Sequence, residues 1–292
     1  MPRLTHDDIL RYEEIGRVVE ASAGLGVTSI RLTGGEPLVR PGVSQLVKMI
    51  AGVQGISDIS MTTNGILLTE QAAELKAAGL TRVNISLDTF DPQRFTSICG
   101  LDKLSKVLEG IEAARAAGLN PVKINSVILR GVNDDEIVEI ARKSIGDGWH
   151  VRYIEEMPLV ESENGHKMVS IEEIRAVIEE EFGELEPCWP AEGRGPAKYF
   201  RLPGASGSIG FIAPVTGCFC AECNRFRLTA DGKLRPCLLR DDEVDIKAAL
   251  RNGAGIVELQ QLMVQAASLK KERHQLDQKV GSMARQMWQI GG

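Results

Sequence analysis

Before residue 183 the sequence repeats one pattern five times: a short run of alternating apolar and polar residues, a turn, and then a stretch of helical periodicity. The pairs are 29–33 with 41–53, 58–64 with 69–78, 82–88 with 101–117, 122–129 with 134–145, and 150–157 with 170–182. Two neighbouring parallel strands need a long crossover between them, and a helix supplies it. The repeat therefore restricts the chain to an α/β fold built on a parallel sheet or barrel. A further helix opens the chain: Thr5 and Asp8 form a capping pair, and Ile9, Tyr12, Ile15 and Val19 recur at helical spacing up to Gly24.

The parity of the strands says what the sheet is for. Along 82–88, Val83, Ile85 and Leu87 fall on one face and Asn84, Ser86 and Asp88 on the other. Lys123 and Asn125 split from Val122 and Ile124 in the same way, and Arg31 and Thr33 from Ile30 and Leu32. A filled barrel interior is branched and apolar, so this polar face predicts a ligand cavity. The alternative is a sheet with one solvated face, which parallel sheets rarely have. After Phe182 the pattern breaks into a loop-rich stretch, then runs at 197–202 and 208–213 that read as antiparallel strands, and then helices from 243 to the end. Residues 1–183 and 184–292 thus read as two regions.

The second region carries the densest chemistry. Cys220 and Cys223 lie at Cys-x-x-Cys spacing, and Cys237 follows after an Ala-Asp-Gly-Lys stretch that reads as a hairpin turn. Arg225 and Arg227 alternate between them along an expected strand, so both guanidinium groups would face one side and attract an anion. Three thiolates around a four-iron cluster leave one iron open to a substrate atom, whereas a closed zinc site wants four ligands. Cys218 could be that fourth ligand, and spacing alone leaves zinc and iron open. Cys99 and Cys188 stand alone and read as structural.

With a formal net charge of −6 the chain is a poor match for a general nucleic-acid or membrane binder, so an anionic ligand must meet a local basic pocket. The start of the chain shows no apolar signal core, and no apolar run approaches the ~20 residues that span a bilayer, which predicts a cytoplasmic protein.

At Thr33-Gly34-Gly35-Glu36-Pro37 and again across the cysteine stretch with Asn224-Arg225-Phe226-Arg227, the sequence resembles the GTP 3′,8-cyclases of molybdenum cofactor biosynthesis, which are radical S-adenosylmethionine (SAM) enzymes. The likeness extends over essentially the whole chain and favours a 4Fe-4S cluster over zinc at Cys220, Cys223 and Cys237. It implies a (β/α) barrel of radical SAM type, incomplete for want of its first strand, with a C-terminal α+β appendage carrying that cluster. It implies that Gly35, Ser86 and Met157 contact SAM, and that Arg31, Thr62, Lys123, Arg225, Phe226 and Arg227 hold GTP. It further implies that Gly291 and Gly292 reach into the active site. In the family a 5′-deoxyadenosyl radical removes the hydrogen at C3′ of GTP, and the resulting carbon radical closes on C8 of guanine. A homodimer, and a downstream molybdopterin-pathway enzyme that takes the product, are implied as partners.

The sequence departs from the family at one place. The cluster that cleaves SAM is held in the family by a Cys-x-x-x-Cys-x-x-Cys loop after the first barrel strand, and no cysteine precedes Cys99 here. The expectation is that Met1 lies downstream of that motif in a longer native cyclase, whose second 4Fe-4S cluster the missing segment would hold. The alternatives are a non-catalytic GTP-binding iron-sulfur chain and a zinc-stabilised structural domain.

Overall fold

The computed structural model describes residues 5, 7–157, 168–189, 195–217, 219–273 and 285–291, apart from the side chain of residue 288. Along the chain run α1 (Tyr12–Gly24), β1 (Ser29–Leu32), α2 (Val43–Ala51), β2 (Asp58–Thr63), α3 (Leu68–Ala78), β3 (Arg82–Ser86), α4 (Pro92–Cys99) and α5 (Leu104–Ala116). There follow β4 (Lys123–Val127), α6 (Ile137–Gly146), β5 (His150–Ile154), α7 (Ile171–Phe182), β6 (Glu186–Pro187), β7 (Lys198–Arg201) and β8 (Ser208–Ile212). The chain ends with β9 (Arg227–Leu228), β10 (Lys233–Arg235), β11 (Val244–Asp245), α8 (Ile246–Arg251), α9 (Ile256–Ser268) and α10 (Met287–Ile290).

Two compact units share these elements. The first comprises residues 1–61, 74–81 and 224–292, and the second residues 62–73 and 82–223. In the first unit β1 and β2 pair in parallel, Arg31 opposite Ser60, and β9, β10 and β11 form a small antiparallel sheet. Its core joins the start of the chain to its end: Leu10, Val18 and Ala21 pack with Leu234, Ile246, Leu250, Leu259 and Met263. Helix α1 begins later than the capping pair at Thr5 suggests. Thr5 and Asp8 do bond, but they close an isolated turn, because the Leu10 N–H is drawn to the Ala230 carbonyl at 2.7 Å. The helix then starts at Tyr12, where Glu14 accepts the Arg11 N–H.

In the second unit β3, β4, β5 and β8 run parallel in that order, and β7 and β6 extend the edge antiparallel. The expectation for 208–213 is half met, since β8 is antiparallel to β7 yet parallel to β5. The helical stretch expected at 101–117 is preceded by a separate helix, α4, capped by Asp91 through the Arg94 N–H. The register explains the alternation. Ile85, Ile124, Val151 and Ile209 stand side by side across the sheet, each at most 1% exposed, and form the apolar face.

Candidate functional site

The opposite face of that sheet carries polar residues in unbroken rows. Because side chains in register on parallel strands leave the sheet on the same side, Asn84, Lys123, His150 and Ser208 form one row. Ser86, Asn125, Arg152 and Gly210 form the next, continued on β7 by Tyr199. The middle of this face is enclosed: Asn84 is 0%, Lys123 3% and Arg152 4% exposed, which argues against a solvated sheet, while Ser86 at its end is exposed. Asn84 Nδ2 donates to Thr62 Oγ1 at 3.2 Å, so Thr62 joins the same wall.

Gly210 makes the crowding possible: a β-carbon there would stand 2.9 Å from both Arg152 Cγ and the Tyr199 ring. Arg152 and Tyr199 therefore share the space above a bare backbone, and the Lys123 ammonium lies 5.4 Å from the Tyr199 ring centroid. Burial pushes the Arg152 guanidinium below its usual value, with its Tyr199 hydrogen bond opposing. Among the atoms on this face, Arg152 Nε and Asn125 Oδ1 are buried without a hydrogen-bond partner. A buried polar atom left unpaired costs roughly 1–3 kcal/mol, and a ligand that pairs it recovers that cost. Sequence reasoning singled out Lys123 and passed over Arg152, His150 and Tyr199. The parity argument that found Lys123 would have found His150 and Arg152, because 150–154 alternates in the same way.

At the C-terminal end of β3, a cavity of about 140 Å³ opens between the polar Asn64, Ser86 and Asp88 and the apolar Phe95, Ile98 and Leu101. Cys99 lines it too and is exposed, with its thiol pushed up by burial first and by the Asp88 carboxylate second. Met157 follows β5 and is half-buried. Beside it the fully buried Glu155 accepts the N–H groups of Ile171, Val215 and Thr216 at 3.0–3.2 Å, as well as the Thr216 hydroxyl. Glu155 thus pins to β5 the turn that leads into Cys220.

Cys220 and Cys223 also belong to this unit. They sit at i and i+3 of a short 3₁₀ turn, closed by the Cys223 N–H on the Cys220 carbonyl at 3.1 Å, so their side chains stack on one side.

In the first unit Arg31 Nε donates to Ser60 Oγ at 3.3 Å. After β1 the chain passes through Gly34, at φ +145°, and Gly35, and a β-carbon at either would meet nothing within 4 Å. The loop therefore leaves its backbone open to approach. Arg225 and Phe226 precede β9 and only Arg227 lies on it, so the expected alternation of both arginines along one strand does not hold. Arg227 Nη1 donates to the carbonyls of Ile290 and Gly291. Gly291 has φ +74°, and a β-carbon there would lie 2.6 Å from Thr33 Cγ2. Gly292 and Cys218 lie outside the described residues.

Cys237 lies in this unit and accepts the Leu239 N–H at 3.4 Å. Among the described residues no three His, Cys, Asp or Glu side chains are gathered closely enough to hold a metal ion. Taken unit by unit, the donors suit iron-sulfur ligation: Cys220 and Cys223 present two thiols on one turn, and the Cys237 sulfur accepts a backbone N–H. A Cys-x-x-x-Cys-x-x-Cys set for a second cluster is not present in these 292 residues.

Residues 2–143 match the Radical SAM superfamily and residues 149–276 match Molybdenum Cofactor Synthesis C. Two solved structures share the fold. Streptococcus suis SuiB bound to S-adenosylmethionine has a TM-score of 0.62 at 14% identity, over 89% of this chain and 61% of that one. His6-tagged anSMEcpe with bound AdoMet has a TM-score of 0.61 at 14% identity, over 91% and 70%. Parallel strands with a polar inner face, an open Gly-Gly loop after β1 and these matches define a radical SAM protein.

The relatives narrow the class. A GTP 3′,8-cyclase of Pelotomaculum thermopropionicum is 48% identical over 99% of this chain and 89% of its own length. One of Moorella thermoacetica is 49% identical over 100% of this chain and 90% of its own. The chain belongs to the GTP 3′,8-cyclase family.

Proposed function

We propose that the chain binds GTP on the polar strand face and serves its conversion to 3′,8-cyclo-7,8-dihydro-GTP, the first step of molybdopterin biosynthesis. The observation that carries this reading is the buried Arg152, set beside Lys123 and Tyr199 with its Nε unpaired. A triphosphate supplies what that face lacks, because its oxygens accept charge-assisted hydrogen bonds from both cations. Arg152 offers a planar fork and Lys123 a point charge, so together they can hold adjacent phosphates and fix where the ribose lies. Thr62, on the same wall, is assigned to the nucleotide, as are Arg31, Arg225, Phe226 and Arg227.

SAM is assigned to Gly35, Ser86 and Met157. A cavity with Ser86 and Asp88 on one side and Phe95 and Leu101 on the other suits a nucleoside, which is polar along the ribose and apolar over the base. Cys220, Cys223 and Cys237 are assigned to a 4Fe-4S cluster, which when bound supplies an open iron that can take a purine donor atom. Gly291 and Gly292 belong with this site, since the Gly291 carbonyl already meets Arg227. The ligands of the SAM-cleaving cluster are not among these residues.

The division at residues 183 and 184 is kept as a division of labour, barrel against cluster region. A homodimer, cytoplasmic placement and hand-over of the product to a later enzyme of molybdopterin synthesis complete the proposal. Among the described residues no helix is long and apolar enough to cross a membrane.

Titration calorimetry of the anaerobically prepared chain with GTP tests the reading. Lys123→Ala and Arg152→Met are each expected to weaken binding at least about tenfold, the loss of one charged hydrogen-bonding partner. Unchanged affinity in both variants contradicts it.

A further inference from the structure

The row on the sheet face does not end at Lys123. His150 is its register partner on β5, and Ser208 is the partner of His150 on β8. His150 Nδ1 and Ser208 Oγ stand 2.9 Å apart, which fixes the plane of the imidazole. Ser208 is 2% exposed while the ring is half-buried, so Ser208 anchors an imidazole whose Nε2 edge remains to meet a ligand. We infer that His150, oriented by Ser208, is a proton-linked phosphate ligand that grips the triphosphate in its imidazolium form. This inference rests on the reading that the triphosphate lies on the Lys123 and Arg152 face.

Among the described residues the charged groups acting on the ring are cations: Lys123 from β4, Arg201 from β7 and Arg152 from its own strand. Burial first, and then these three cations, hold His150 below its ordinary value in the free chain, which leaves it neutral near pH 7. An arriving triphosphate reverses the sign of the local field, and the imidazole then takes a proton from solvent and donates from both ring nitrogens. Binding and proton uptake are thereby coupled, and affinity rises as pH falls. A histidine that merely ties β5 to β8 through Ser208 has no such dependence.

GTP binding to the full chain is measured by calorimetry at about pH 6 and about pH 8, for the wild type, His150→Gln and Lys123→Ala. Glutamine can keep the bond to Ser208 but cannot take the charge. His150→Gln is expected to bind GTP about tenfold more weakly than the wild type at the lower pH and within about twofold of it at the higher. Titration of the phosphate itself affects both proteins alike and cancels in the ratio. A ratio that does not change with pH overturns the inference.

Lys123→Ala separates this failure from that of the parent reading. If it and Arg152→Met both leave GTP binding unchanged, the triphosphate does not lie on this face, and both statements fall. If it weakens binding while the His150→Gln ratio stays flat, only the role of His150 falls. Should His150→Gln misfold, the wild-type chain still decides the matter by NMR, with the His150 resonance recognised by its response to Ser208→Ala. Its titration must move to higher pH when GTP is added. A titration that stays where it was overturns the inference.

Discussion

Single side chains set the sharpest conditions on the site. Burial pushes the Asp88 carboxyl up to about 6, against the opposing Val127 N–H. Its folded pKa exceeds the ordinary value of 3.8, so the native chain holds a proton that the unfolded chain has released. Stability from this group is therefore present in acid and is lost as pH rises from 3.8 to about 6. Asp88→Asn keeps an acceptor for Val127 and is expected to raise the unfolding free energy by about 3 kcal/mol at neutral pH and by well under ~1 kcal/mol at about pH 4. Urea denaturation at the two pH values checks this, and equal gains at both contradict it. At Gly291 an alanine would meet a left-handed backbone, costing ~1 kcal/mol or more, and would clash with Thr33 Cγ2 at 2.6 Å. Gly291→Ala is expected to release the tail from Arg227 and to speed carboxypeptidase trimming about tenfold. Trimming at the wild-type rate would show that the tail does not depend on this fit.

At the scale of elements, local chemistry and long-range packing divide the work. Helix α7 starts where its capping box dictates: Ser170 Oγ accepts the Glu173 N–H at 3.2 Å, and the Glu173 carboxylate accepts the Ser170 N–H at 3.0 Å. Ser170→Ala is expected to cost about 1 kcal/mol, read as a lower urea midpoint with an unchanged slope. An unmoved midpoint contradicts the assignment. This start was legible in the sequence because the box is local. The start of α1 was not, although Thr5 and Asp8 look similar on paper, because the Ala230 carbonyl captures the Leu10 N–H from far along the chain. Strand β9 was overextended for a related reason. Arg225 and Arg227 alternate in sequence, but pairing with β10 reaches back only to Arg227. Parity along β3, β4 and β5 was the most legible signal, since a period of two survives any error in strand ends.

At the scale of the whole chain, two kinds of information meet. Motifs placed the chain in its family: the Gly-Gly-Glu-Pro loop and the Cys-x-x-Cys run are short and contiguous. Lys123 and Thr62 could also be assigned from the resemblance. The way Arg152 and Tyr199 share the space above Gly210 could not, because β5, β7 and β8 meet only in the fold. The cysteine assignment remains the most consequential, since it decides whether the nucleotide faces an open iron or a closed structural knot. The direct measurement is iron, labile sulfide and zinc per chain after anaerobic reconstitution, for the wild type, Cys218→Ala and Cys223→Ala. The account predicts ~four iron and ~four sulfide in the wild type and in Cys218→Ala, and loss of the cluster in Cys223→Ala. Zinc without sulfide in the wild type, or loss of iron in Cys218→Ala, would contradict the three-thiolate site and restore a four-ligand centre.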